Sequence, residues 1–335
     1  MEKMISELVD GEHFKGQLLV ANSAKCVNNV GANYLNLELR DSSGNINGKK
    51  WDVSLEDESI FVIGNVVEIE GEVLKYKENL QLKVLSASLV NPDDIDTARF
   101  IKQPPVPKEQ LVKRFNEYVE SIQNEDCRKI LDYLIKRLSP NLFEYPAAVS
   151  VHHDYASGLL AHTLSMADIA EFMVKHYSNV NRDILLTGVL LHDMGKTIEF
   201  EGPIVYKYSL TGKLLGHITI MVSEIRRAAE GLKITSEVPL LLEHMVLSHH
   251  GYPEFGSAIM PMTQEALMLS LIDNLDSKMV IVQKAIENVN PGEFSQKVFP
   301  LDGRSIYKPK EYKEHIALFF FLYLTKTFIM LLFLY

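Results

Sequence analysis

Ile184-Leu185-Leu186-Thr187-Gly188-Val189-Leu190-Leu191-His192-Asp193-Met194-Gly195-Lys196 is the most telling stretch in the larger part of this chain. Its first eight residues are a nearly continuous apolar run, which predicts a helix buried on most sides. The run ends on a histidine and an aspartate, two side chains that are costly to bury without a partner. A glycine and a lysine follow. Such a stretch places polar chemistry at the end of a core helix.

Four further stretches share this character. His162 lies in Gly158-Leu159-Leu160-Ala161-His162-Thr163-Leu164, near the start of a predicted helix; His217 opens another after Gly216. His249-His250 ends a fourth, stopped by Gly251, and Asp273 sits within a fifth, in Leu271-Ile272-Asp273-Asn274-Leu275-Asp276. Helices packed by their Leu, Ile, Val and Met faces turn these polar members inward together. One buried histidine is more often a satisfied core residue than a ligand, and His13, His176, His244 and His315 are read that way. The joint order is what points to metal. Imidazole and carboxylate without thiolate suit Mn²⁺, Fe²⁺ or Zn²⁺ rather than a structural zinc knot. Seven ligands exceed the needs of one ion and suit two, with Asp193 the natural bridge because a carboxylate spans two ions more readily than imidazole. A pair of ions can activate water and neutralise a phosphate's developing charge.

Helical spacing extends across the whole C-terminal part. Leu111, Phe115, Val119 and Ile122 form one stripe, and Ile218, Met221, Val222, Ile225, Ala229 and Leu232 another. Residues 108–310 are therefore predicted to be an all-α domain. Residues 91–107, with Asn91-Pro92-Asp93-Asp94 and Gln103-Pro104-Pro105-Val106-Pro107, read as a Pro-rich linker.

Residues 1–90 alternate apolar with polar at 17–20, 34–39, 50–53, 66–73 and 80–84, the pattern of half-buried strands. Asp41-Ser42-Ser43-Gly44 is a turn sequence, and a connection near Leu55–Ile60 separates the third and fourth strands. Five short strands so connected predict a closed barrel of the OB type. Single strands bind to aromatics beside a cationic track; the candidates are Tyr34 and Trp51 with Lys49-Lys50, and Lys75-Tyr76-Lys77 before the fifth strand. Trp51 reads more readily as core, and the lysines equally as solvated turn residues.

The chain has 335 residues, 47% hydrophobic and 23% charged, which suits about two globular domains and excludes a disordered chain. Its net charge of −10 excludes nucleic-acid binding by bulk charge alone, and residues 1–90 with 9 Lys/Arg against 14 Asp/Glu are no basic arm. Binding through a local groove or through metal ions stays open. Two cysteines and an acidic start without an apolar core predict a reducing, cytoplasmic setting. Residues 311–335 form an apolar tail; Ile316–Tyr335 has 17 apolar or aromatic residues in 20. Membrane contact through it is not favoured, since nothing earlier is adapted to a bilayer; a docked helix and an extension outside the working fold are the alternatives.

The order His162, His192-Asp193, His217, His249-His250, Asp273 resembles the metal-dependent HD-domain phosphohydrolases. With a barrel in front, the chain resembles more closely the YhaM-type 3′→5′ exoribonucleases of Gram-positive bacteria, over roughly residues 10–310. The stretches HHDYASGLLAHTLSM, GVLLHDMGKTIEF, GKLLGHITIMVSEI, HMVLSHHG and LIDNLDSKM carry that likeness; the tail departs from it. The resemblance implies one ion on His162, His192, Asp193 and Asp273, and another on Asp193, His217, His249 and His250. It implies Asp193 and Lys196 as catalytic residues, Lys196 facing the scissile phosphate, and His153 touching substrate. It further implies Mn²⁺-aided hydrolysis of single-stranded RNA, with some action on single-stranded DNA. A homo-oligomer is expected. A nucleotide or cyclic-nucleotide phosphohydrolase is the alternative enzyme, though it has no need of a barrel. A nucleic-acid-binding regulator with a structural HD domain is the other, though it has no need of a complete ligand set.

Overall fold

A computed structural model describes residues 3–28, 31–76, 79–91, 94–96, 99–101, 106–139, 141–145, 157–202 and 207–310. They belong to two compact units, Met1–Asp276 and Ser277–Tyr335.

The first unit begins with a closed barrel of β1 (His13–Val27), β2 (Asn33–Asp41), β3 (Gly44–Trp51), β4 (Val66–Tyr76) and β5 (Asn79–Leu89). Its order is β1-β2-β3-β5-β4, antiparallel except for the β3–β5 pair. Alternation fills the inside: Leu18, Val20, Leu35, Leu37, Leu39, Ile46, Val67, Ile69, Val73, Leu82 and Val84 are all buried. The long β1 pairs with β4 through its first half and with β2 through its second, and a register shift between Val20 and Asn22 marks the change. Helix α1 (Leu55–Ile60) fills the connection between β3 and β4. Ser54 caps it by accepting from the Asp57 N–H, while the Asp57 carboxylate accepts from the Ser54 N–H.

The third strand differs from the one expected at 50–53. It starts at Gly44, directly after the Asp41–Gly44 turn, and ends at Trp51. Gly44-Asn45-Ile46-Asn47-Gly48 offers one apolar side chain to an alternation count. Pairing along β2 makes it a strand regardless.

The helical part comprises α2 (Lys108–Ser121), α3 (Glu125–Leu138), α4 (Asn141–Glu144), α5 (Gly158–His176), α6 (Arg182–Leu191), α7 (Lys196–Glu199), α8 (Leu210–Gly231), α9 (Val238–Ser248) and α10 (Gln264–Glu287). Leu111, Phe115, Val119 and Ile122 are buried as the stripe predicts, and Ile184 through Leu191 are buried without exception. Leu232 departs from its stripe: it caps the end of α8 and is partly exposed. The all-α expectation needs one amendment, because the two-residue strands β6 (Phe200–Glu201) and β7 (Lys207–Tyr208) pair between α7 and α8. They join the chain leaving α7 to the chain entering α8.

α10 runs from the first unit into the second. Within the second unit, Phe294 and Tyr307 form an isolated antiparallel bridge with their rings 5.0 Å apart.

Candidate metal centre

Two helix ends aim histidines by the same device. At the end of α6 the His192 Nδ1 lies 2.8 Å from the carbonyl oxygen of Val189; at the end of α9 the His249 Nδ1 lies 2.7 Å from that of Val246. A carbonyl can only accept, so each Nδ1 carries the hydrogen and each Nε2 keeps its lone pair. Both rings are almost wholly buried, and each Nε2 points into one shared space.

His217 reaches that space through two glycines. Gly216 has φ +69°, a left-handed conformation that breaks α8 and lets it restart at His217. A Cβ on Gly195 would lie 2.2 Å from the His217 carbonyl oxygen, so only glycine allows the turn after Asp193 to approach this backbone. Glu199 then serves the restarted helix. Its Oε1 accepts from the His217 N–H at 3.0 Å and faces the His217 Nδ1 at 3.1 Å.

Asp193 stands at the centre. Its Oδ2 is 3.4 Å from His192 Nε2 and 3.9 Å from His162 Nε2, and accepts from Lys196 Nζ at 2.7 Å. Its Oδ1 is 3.4 Å from His217 Nε2 and 3.9 Å from His249 Nε2. One carboxylate oxygen thus faces each half of the cluster. His162, His192 and Asp193 can place ligand atoms within 4.8 Å of one another, and so can His217, His249 and His250. Asp273 Oδ1 is 3.3 Å from His162 Nε2 and joins the first group. The structure therefore brings all seven sequence-predicted ligand residues into one cluster.

Charge is concentrated there. Burial lowers the proton affinity of His162, but Asp273 and Asp276 outweigh it and push this histidine up to about 9. Burial raises the Asp193 carboxyl; Lys196, His192 and His217 hold it well below the ordinary range. Asp273 is lowered likewise, burial being outweighed chiefly by His162. His249 falls well below its ordinary value through burial and the neighbouring His250 and His192.

Buried polar atoms normally find hydrogen-bond partners. Among the described residues six buried side-chain atoms do not, and four of them are His192 Nε2, Asp193 Oδ1, His217 Nε2 and His249 Nε2. All four face this space with lone pairs. A divalent cation is the partner that satisfies them together, and N/O donors without sulfur fit such an ion.

Three residues of the site escaped the sequence reading: Asp276, Glu199 and Ser165. Asp276 Oδ2 lies 2.7 Å from His162 Nδ1, and Ser165 Oγ donates to the Asp276 Oδ1. Asp276 had a signal, since it follows Asp273 by three positions and so shares its helix face. Glu199 had none.

The barrel carries a second assembly. Tyr34 and Trp51, paired across β2 and β3, stack with centroids 4.7 Å apart. The Lys49 ammonium lies 5.5 Å and 5.6 Å from the two ring centroids. Trp51 is 36% exposed and not core, because β3 ends at it. Lys50 lies 3.8 Å from the Asp57 carboxylate, away from the two rings that Lys49 faces. Lys75 and Tyr76 are exposed at the end of β4; Lys77 and His153 lie outside the described residues. Both cysteines are free, Cys127 buried and Cys26 half-buried. Among the described residues no helix is long and apolar enough to cross a membrane; Ile316–Tyr335 lies outside them.

Comparison with known proteins adds to this geometry. An HD domain family matches residues 159–278, and an OB-fold nucleic acid binding domain family matches residues 21–90. The 3′-5′ exoribonuclease YhaM of Geobacillus sp. (strain WCH70) is 43% identical over 310 residues, which is 92% of this chain and 96% of that protein. Among solved structures, the second OB-fold domain of replication protein A from Methanococcus maripaludis is 21% identical, with a TM-score of 0.23, over 27% of this chain and 96% of that one. The asparaginyl-tRNA synthetase of Entamoeba histolytica is 15% identical, with a TM-score of 0.24, over 45% of this chain and 39% of that one.

Proposed function

The chain belongs to the YhaM family of 3′→5′ exoribonucleases, and from that premise we propose that its HD centre hydrolyses the phosphodiesters of single-stranded RNA on two divalent ions. The enzyme is a metal-dependent 3′→5′ exoribonuclease with an HD phosphohydrolase domain and an OB-fold nucleic-acid-binding domain. The use of two ions is our reading. One observation carries it: each oxygen of the buried Asp193 faces a separate group of histidines.

In this reading His162, His192, Asp193 and Asp273 hold one ion, and Asp193, His217, His249 and His250 hold the other. When bound, such a pair supplies a water of lowered pKa and neutralises charge on the reacting phosphate. Mn²⁺ is the ion we favour, with Fe²⁺, Mg²⁺ and Zn²⁺ as the alternatives, given a donor set of imidazole and carboxylate alone. Lys196 is held on Asp193 at the rim of the cluster, its side chain 13% exposed. It brings a fixed positive charge to the place where a phosphate enters. The buried rings of His192 and His249 keep bulk water from the far side.

The barrel supplies the strand. Trp51 and Tyr34 give a stacking face and Lys49 a phosphate contact, and Lys75 and Tyr76, exposed at the end of β4, are further candidates for contact with the strand. We assign the platform to residues 1–90, the reaction to 108–310 and the workplace to the cytoplasm.

The test uses 5′-labelled single-stranded RNA with purified protein. A ladder of shortening products with Mn²⁺, abolished by chelator and restored by Mn²⁺, is expected. Robust cleavage of a circular RNA would sink the assignment, since a circle offers no 3′ end.

A further inference from the structure

Each half of the cluster contains one histidine backed by a main-chain carbonyl and one backed by a carboxylate. His192 rests on Val189 O and His249 on Val246 O. His162 rests on Asp276 at 2.7 Å, and His217 on Glu199 at 3.1 Å. Both carboxylates are buried, Asp276 at 6% and Glu199 at 6% exposure. Neither takes part in the ligand groups, and each touches one half alone among the contacts above.

Burying a carboxylate is expensive, so its placement calls for a return. Asp276 is committed on both oxygens, one to His162 and the other to the Ser165 hydroxyl. Glu199 is committed through Oε1 to both the ring and the main chain of His217. A carboxylate behind an imidazole fixes the hydrogen on Nδ1, aims the Nε2 lone pair forward and makes that nitrogen a stronger donor. A backbone carbonyl does the first two and less of the third.

We infer that Asp276 and Glu199 are positioning residues, each governing the ion held by its own half: Asp276 through His162, and Glu199 through His217. The inference rests on the two-ion reading above. It predicts that the two ions can be weakened one at a time by changes that touch no ligand.

The test is equilibrium Mn²⁺ binding to full-length, metal-stripped protein, followed by the electron paramagnetic resonance of free Mn²⁺. The wild type should bind two ions per chain. Asp276→Asn and Glu199→Gln keep the shape and an acceptor oxygen while removing the charge. Each should weaken one binding class by about 10–100-fold and leave the other within about 2-fold. The double variant should weaken both. Ser165→Ala, which removes only the hydroxyl behind Asp276, should weaken one class by a smaller factor, and it keeps the inference exposed should Asp276→Asn fail to fold. RNA cleavage by Glu199→Gln should recover as Mn²⁺ is raised, a response that a merely unfolded protein would not give. Two ions bound at wild-type affinity in Asp276→Asn and Glu199→Gln overturn the inference while the two-ion reading stands. So does loss of both ions from each single variant, because the halves would then not be governed separately. Fewer than two ions on the wild type overturns both.

Discussion

One added methyl group should disable the HD centre. Gly195 has φ −58° and ψ −22°, a conformation open to any residue, so alanine brings no backbone strain. What forbids it is space. The new Cβ would lie 2.2 Å from the His217 carbonyl oxygen and 3.0 Å from the carbonyl carbon. Relief to ordinary contact requires the two backbones to part by about 1 Å, and neither atom is the loose end of a side chain. His217 Nε2 now sits 3.4 Å from Asp193 Oδ1. A shift of that size removes the nitrogen from a position where ligand distances must hold to about 0.2 Å. A misplacement of about 1 Å commonly costs about 10²-fold in rate, and we expect at least that loss on labelled RNA. Overpacking of about 1–3 kcal/mol, offset by about 0.5–1 kcal/mol from a stiffer unfolded chain, leaves a net loss of at most about 2.5 kcal/mol. That lowers the melting temperature by no more than about 10 °C, at about 2–4 °C per kcal/mol, and the variant stays folded. Gly231→Ala is the control: nothing lies within 4 Å of its new Cβ, and rate and metal content should not change. Gly195→Ala turning over RNA at the wild-type rate with two ions bound would show that the approach of Gly195 to His217 does not set the centre.

Asp193→Ala should abolish turnover and lower Mn²⁺ binding in both classes at once, because the shared carboxylate is gone; metal analysis showing two ions would remove its bridging role. The metal-free protein should be most stable near pH 6.5. His162 is raised to about 9 when folded, so its contribution, about 3 kcal/mol at most, is complete below 6.5 and lost as pH climbs through 9. His249 is depressed, so its contribution is complete above 6.5 and fades below it; Asp193 and Glu199 follow at still lower pH. Thermal melts in chelator read this directly, and a melting temperature still rising at pH 9 counts against the His162 environment. On the barrel, Trp51→Ala should weaken binding of single-stranded RNA by about 1–3 kcal/mol, or roughly 5–150-fold. Anisotropy in chelator measures it without cleavage, and unchanged affinity would take the platform away from this face.

The elements were legible where side chains repeat and obscure where partners decide. β1, β2, β4 and β5 announce themselves by alternation, and the buried run 184–191 by its length. β3 does not, because Gly44, Asn45, Asn47 and Gly48 carry no apolar signal and depend on the ladder to β2 and β5. Trp51 misled for a related reason. A lone tryptophan suggests core by its size, yet its position as the last residue of β3 opposite Tyr34 leaves it half in water.

The centre shows the same division at closer range. All seven predicted ligands converge because each stands beside an apolar helix whose packing direction is written in the sequence. What the sequence did not convey is how those ligands are aimed. Val189 and Val246 act through backbone carbonyls, which no side-chain pattern encodes. Glu199 reaches His217 only because Gly195 lets two backbones nearly touch and Gly216 restarts the helix there. A glutamate in Lys196-Thr197-Ile198-Glu199 looks like any exposed helix acid until that contact exists. Which residues converge is therefore a property of residue type and order, whereas how they are aimed is a property of close backbone approach. A change that preserves all seven predicted ligands but alters Gly195, Glu199 or Asp276 should leave the recognisable motif intact and the centre impaired.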